Sequence, residues 1–173
     1  MSVVIGIVVF ITGALAGFFV NRYLSASNQE QQKLADQHGK YVPMAVKIAP
    51  DLETSDIVDI AQILIKQEVD GVIATNTTIS REGVEDHLYG GEMGGLSGAP
   101  LTERSTDVIS KLSRELDGAL PIIGVGGICT GEDAAEKMAA GASLVQIYSG
   151  FIYRGPKLIR EAVDAIASTR TSN

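Results

Sequence analysis

Four short apolar runs, each breaking off into small or polar residues, alternate with stretches of helical periodicity over most of the chain. They are 42–50 (VPMAVKIAP), 70–78 (DGVIATNTT), 120–128 (LPIIGVGGI) and 143–150 (SLVQIYSG). Apolar runs of this length between helices read as parallel strands covered by their crossover helices. A barrel of such units builds its ligand site at the carboxyl ends of the strands. Here those ends carry Lys47, Thr75-Asn76-Thr77, Gly126-Gly127 and Tyr148-Ser149-Gly150. Four βα units fall short of the eight that close a barrel, and 173 residues fall short of the usual length of about 250. The expected fold is α/β, a partial TIM barrel.

The local signals divide the chain further. A strand over Pro43–Ala49 leads through Pro50-Asp51 into a helix over Thr54–Gln67, with Ile57, Ile60, Ala61 and Leu64 at helical spacing. Asp70-Gly71 turns the chain into a second strand, Val72–Asn76. A long loop from Thr77 to Pro100 contains Gly90, Gly91, Gly94, Gly95 and Gly98, and loops of that length are usually functional or mobile. The next helix starts near Thr102 and places Val108, Ile109, Leu112 and Leu116 on one side. Asp117-Gly118 ends it before a third strand, Pro121–Val125. Thr130 and Asp133 have the spacing of a capping box, which predicts a helix from there to Ala140. Gly141 stops that helix, the fourth strand follows, and Pro156 opens a last helix carrying Leu158, Ile159, Ala162, Val163 and Ile166.

The beginning of the chain has a different character. Val3 to Val20 is a run of 18 residues without a charge. As a helix it rises about 27 Å, close to the hydrocarbon thickness of a bilayer. The expectation is a transmembrane helix over 1–24, a polar stalk or linker over 25–40 and the barrel units over 41–173. Arg22 and Lys33 follow the span, so the positive-inside rule leaves the remainder in the cytoplasm. A cleaved signal peptide is the competing reading. It has a small-residue site at Ser25-Ala26-Ser27 but no basic n-region. Gly13 and Gly17 have the spacing that lets two membrane helices approach closely.

Composition narrows the function. A net charge of −7 without a Lys/Arg cluster disfavours phosphate-backbone binding, so nucleic acid is not an expected partner. No metal site is expected. The single cysteine, Cys129, cannot form an internal disulfide, and it reads as a small buried hydrophobe rather than a reactive thiol.

The strand ends admit specific chemistry. Glycines at 126, 127 and 150 let backbone N–H groups approach a phosphate, or else serve tight turns only. Lys47 lies in an apolar strand, where its ammonium must pair with a neighbouring carboxylate or reach an anionic ligand. Asn76 offers a donor and an acceptor to the edge of a heterocycle, although taken alone Thr75-Asn76-Thr77 reads first as an Asx or Thr cap on the turn.

Five blocks, KYVPMAVKIAPDL, DGVIATNTT, GGLSGAPL, LPIIGVGGI and GASLVQIYSGFIYRGP, stand in the order and spacing of a known family. From about His38 to Ile166 the chain resembles the dihydroorotate dehydrogenases, specifically their membrane-associated, quinone-reducing class. The resemblance implies the last four units of a (β/α)8 barrel. It implies flavin mononucleotide (FMN) as cofactor, contacted by Lys47, Thr75, Gly98, Gly127, Tyr148 and Ser149. Lys47 would lie by the pyrimidine part of the ring, with Gly127, Tyr148 and Ser149 near the phosphate. Asn76 and Thr77 would hold dihydroorotate or orotate, a quinone would be the final acceptor, and the reaction would serve pyrimidine biosynthesis at a bacterial inner membrane.

The serine base of this class precedes the Lys strand and has no counterpart here. No catalytic residue is therefore assigned, and the isolated chain is expected to be inactive. The alternative is a membrane-anchored, non-enzymatic half-barrel that binds FMN or phosphate weakly. Self-association through the open barrel edges is expected in either case.

Overall fold

Residues along each strand alternate between two environments, and that division sets the architecture. The computed structural model describes residues 16–171. Strands β1 (Ala45–Ile48), β2 (Gly71–Ala74), β3 (Ile122–Val125) and β4 (Leu144–Gln146) pair in parallel, in the order β1-β2-β3-β4. Their register sets Lys47 beside Ile73, Ile73 beside Ile123 and Ile123 beside Leu144, one row across the sheet.

Val46, Ile48, Val72, Ala74 and Ile122 point to the other face. There they bury against helices α2 (Thr54–Lys66) and α3 (Thr102–Leu116) in one apolar cluster. The expected stripes supply the other side of this cluster: Ile57, Ile60, Ala61 and Leu64 from α2, and Val108, Ile109, Leu112 and Leu116 from α3. The row through Lys47 faces away from these helices and is only partly covered, with Leu144 61% exposed.

Helix α4 (Gly131–Ala139) begins where its sequence predicts. The Thr130 hydroxyl accepts from the Asp133 N–H at 3.1 Å, and the Asp133 carboxylate accepts from the Thr130 N–H at 2.8 Å. A short helix α5 (Ser149–Arg154) follows β4, and α6 (Lys157–Thr171) packs on α4 through Ala162, with Ala134 and Ile128 in the same cluster. The sequence signalled no break into α5. Tyr148-Ser149-Gly150 reads as a strand end and is instead the start of that helix. In α6, Leu158 and Ala162 are buried as expected, whereas Ile159 and Val163 are exposed.

The largest correction concerns the segment before β1. A single helix, α1 (Ala16–His38), runs straight through the expected boundary between span and stalk. Neither the end of the expected span nor the stalk stands free. Leu24 is completely buried in the main cluster, and α1 packs on α2. Polar side chains hold the contact. Asn28 donates to the Gln67 carbonyl, Gln67 Nε2 donates to Asn21 Oδ1 at 2.7 Å, and Gln31 Nε2 donates to the Val42 carbonyl at 2.6 Å. The segment is helical, one of the two forms expected of a polar stalk, but it runs only to His38 and carries a docked face instead of standing free. Of the expected span 1–24, residues 1–15 lie outside the described residues, and residues 21–24 belong to this docked helix. Among the described residues, no helix is long and apolar enough to cross a membrane.

Leu24→Ala is expected to lower stability by about 2–4 kcal/mol, the cost of emptying a closed apolar site. Urea denaturation monitored by circular dichroism measures it, and a change below about 0.5 kcal/mol would mean that the helix is undocked.

Candidate functional site at the carboxyl ends of the strands

Each strand ends on the same side of the sheet, and the segments leaving those ends line one cleft that opens to solvent. Lys47, Thr75, Asn76, Thr77, Gly98, Gly127, Tyr148 and Ser149 all line it. Residues more than a hundred positions apart in sequence thus meet at one place, although only the parallel register connects them. Ser97, Ile128 and Gln146 line it as well. These three carry no expectation from the sequence. Gln146 had a usable signal, a polar residue in an apolar strand run, the same signal that marks Lys47.

Lys47 forms the centre of the site's chemistry. It points from β1 to the partly covered face, half-buried among apolar neighbours. Among the described residues no ion pair or hydrogen bond engages its ammonium, and burial lowers its pKa from the ordinary 10.5. The neighbouring-carboxylate alternative is therefore not what the structure shows. A desolvated cation facing a cleft favours an anionic or electron-rich ligand.

The β2 end is built by a different device. The N–H of Thr75 donates to the Val125 carbonyl at 2.8 Å, and its hydroxyl lies 3.0 Å from the Asn76 carbonyl. Thr75 is almost fully buried, so it forms wall rather than surface. Asn76 Oδ1 accepts from the Thr77 N–H at 2.9 Å, which is the local capping role, while no hydrogen bond engages its Nδ2 among the described residues. Asn76 keeps a donor free beside the cleft.

The long glycine-rich loop is pinned rather than loose at its base. Thr78 and Leu96 exchange backbone bonds of 3.0 and 2.8 Å. Asp51, after β1, accepts from the Thr78 hydroxyl, from the Ile79 N–H at 2.9 Å and from Arg104 of α3 at 2.7 Å. Inside the loop, Arg81 donates to the carbonyls of Glu92 and Gly94 at 2.8 and 2.7 Å. This returns the chain to Ser97 and Gly98, and Ser97 Oγ lies 2.9 Å from Ser149 Oγ. Gly98 has φ +88°, a conformation other residues rarely adopt.

Gly126 and Gly127 complete the wall. The Thr102 hydroxyl donates to the Gly127 carbonyl at 2.8 Å, and Ser105 Oγ donates to the Gly126 carbonyl at 2.9 Å. Both peptide bonds that follow are trans, so each N–H points opposite to its carbonyl. The N–H groups of Gly127 and Ile128 are consequently turned away from α3, and no hydrogen bond engages them among the described residues. Two free donors in succession make a seat for an anion. Tyr148 is mostly exposed at the rim. Cys129, outside the cleft lining, is half-buried, and burial raises its thiol pKa, the opposite of a reactive thiolate.

The same fold occurs in known proteins. The family model described as dihydroorotate dehydrogenase matches residues 19–169. The chain belongs to the dihydroorotate dehydrogenase family. Two curated relatives, each named dihydroorotate dehydrogenase (quinone), come from Saccharophagus degradans and Chromobacterium violaceum. The first is 61% identical over 145 residues, covering 84% of this chain and 43% of the relative. The second is 61% identical over 148 residues, covering 86% and 43%. The chain thus spans under half the length of the curated relatives it matches.

Among solved structures, the dihydroorotate dehydrogenase of Eimeria tenella in complex with ferulenol superposes with a TM-score of 0.85 at 31% identity, over 96% of this chain and 50% of that one. Its ligand-free form gives 0.69 at 43% identity, over 74% of this chain and 35% of that one. Because the family match begins at residue 19, inside α1, the docked helix belongs to the dihydroorotate dehydrogenase fold. The resemblance read from the sequence began only near His38.

Lys47 yields a pH prediction. Its proton is held more weakly in the folded chain than in the unfolded one, so the unfolded state binds more protons between the lowered pKa and 10.5. Stability gained from relieving this charge therefore rises with pH across that interval. Relative to Lys47→Met, the unaltered protein should gain stability as pH rises from the lowered pKa toward 10.5 in paired denaturation curves. A parallel pH dependence of the two proteins would contradict an unpaired, desolvated ammonium.

Proposed function

We propose that this chain supplies the flavin and substrate face of a dihydroorotate dehydrogenase (quinone). In this reading it holds FMN and contributes to the oxidation of dihydroorotate to orotate in pyrimidine biosynthesis, with a quinone as final acceptor. The observation that carries the reading is Lys47, a desolvated ammonium that has no anionic partner among the described residues, in the same cleft as two backbone N–H groups that no described residue engages. One cation and one anion seat in a single cleft suit a flavin nucleotide, whose pyrimidine edge accumulates negative charge on reduction and whose far end is a phosphate.

FMN, when bound, supplies the hydride acceptor. The chain's own residues bind and orient. Lys47 fixes a positive charge by the pyrimidine edge. The N–H groups of Gly127 and Ile128, with the Ser149 hydroxyl, hold the phosphate, and Gly98 and Tyr148 bound the ring and rim. Asn76 Nδ2 and the Thr77 hydroxyl orient dihydroorotate through its polar edge. No residue of this chain is proposed as the base that removes the substrate proton, and the chain is proposed to bind without turning over by itself.

The alternative, a non-enzymatic half-barrel with weak FMN or phosphate binding, is favoured by the open sheet face on which Leu144 is 61% exposed. The same face underlies proposed self-association, because β1 and β4 each have a free outer edge among the described strands. Attachment to a bacterial inner membrane, with the barrel units on the cytoplasmic side, rests on the uncharged run Val3–Val20 alone.

Flavin fluorescence titration tests the reading on the same sample whose mass is measured by sedimentation. The expected results are stoichiometric FMN binding, at least ~10-fold weaker for Lys47→Met (about 1.4 kcal/mol), an associated species, and no dihydroorotate-dependent quinone reduction. Turnover by the isolated chain would contradict the missing base. Absence of FMN binding would contradict the whole reading.

A further inference from the structure

Lys137 lies in α4 with its side chain completely buried, and the binding roles described above make no use of it. Lysine is rarely buried without a partner, because removing its charge from water is costly. Among the described residues no ion pair engages this ammonium. Its Nζ donates instead to the Thr102 carbonyl at 2.8 Å and to the Thr106 hydroxyl, both at the start of α3. Burial pushes its pKa down to about 8 against the opposing pull of Asp133 and Glu136, which leaves it protonated at neutral pH.

The same turn of α3 holds the glycine pair. Thr102 receives Lys137 at its carbonyl and donates through its hydroxyl to Gly127, and Ser105, three residues on, holds Gly126. The fit has no slack. A Cβ on Gly127 would lie 2.4 Å from both the nitrogen and the Cα of Thr102, and one on Gly124 would lie 3.2 Å from Lys137 Cβ. An apolar side chain of similar length would fill the space without a buried charge. What it could not supply is the charge-assisted bond to Thr102.

We propose that Lys137 is a positioning residue for the anion seat. Its ammonium fixes the first turn of α3, Thr102 and Ser105 fix the carbonyls of Gly127 and Gly126, and the N–H groups of Gly127 and Ile128 are thereby held toward the ligand. Only the identity of the anion, a flavin phosphate, rests on the function proposed above.

Two measurements on Lys137→Met and Lys137→Arg test this. The first is the position of the Gly127 and Ile128 amide resonances in 1H–15N spectra without ligand. The second is affinity for FMN against riboflavin, which lacks the phosphate. In Lys137→Met the two amides should shift or broaden, and the preference for FMN over riboflavin should fall ~10-fold while riboflavin affinity holds. Lys137→Arg should restore part of both. Unmoved amides in Lys137→Met would overturn the proposal whatever the flavins do. A protein with no preference for FMN over riboflavin would remove the flavin reading, and the amides would still decide the role of Lys137. Should Lys137→Met fail to fold, Thr102→Val breaks the link one step later and must produce the same amide changes; if it does not, the proposal fails.

Discussion

The parallel register of the sheet is the constraint on which the rest depends. Lys47, Ile73, Ile123 and Leu144 stand in one row because each strand pairs with the next without a slip. A shift of one residue in β1 would turn Lys47 into the apolar cluster between sheet and helices and expose Val46. The register is enforced from the helix side, where Val46, Ile48, Val72, Ala74 and Ile122 interlock with α2 and α3. The chemistry is thus positioned by apolar packing on the opposite face. Once the row is fixed, the strand ends coincide and the loops leaving them share one cleft.

The loops are held by polar bonds that apolar packing could not direct. Asp51 gathers the Thr78–Ile79 segment and Arg104, so the end of β2 is tied to α3. The glycine pair after β3 is tied to the same helix through Thr102 and Ser105. Helix α3 therefore supports both the β2 end and the glycine pair of the cleft. Its own position depends on the buried stripe from Val108 to Leu116.

Much of this arrangement was legible in the sequence, for identifiable reasons. The apolar stripes of α2 and α3 obey helical spacing, and the Thr130–Asp133 capping box is a local signal that the structure reproduces in both of its bonds. The site residues Lys47, Asn76 and Gly127 stand out because each breaks an apolar run. What was not legible has the opposite character. Helix α1 was expected as a span and a stalk because its docked face is made largely of Asn and Gln, whose partners Gln67 and Val42 lie in other elements. Helix α5 has only six residues and no apolar period. Ser97 acquires meaning only through neighbours that are distant in sequence, Ser149 among them.

Every role proposed for these residues requires that β1, β2, β3 and β4 present a shared binding hollow at their carboxyl tips. Titration of the 15N-labelled chain with FMN, followed amide by amide, tests it most directly. The shifted resonances are expected to cluster at Lys47, Asn76–Thr77, Gly98, Gly127–Ile128 and Ser149. Shifts centred instead on the opposite end of the sheet, around Gly118 and Ser143, would contradict it.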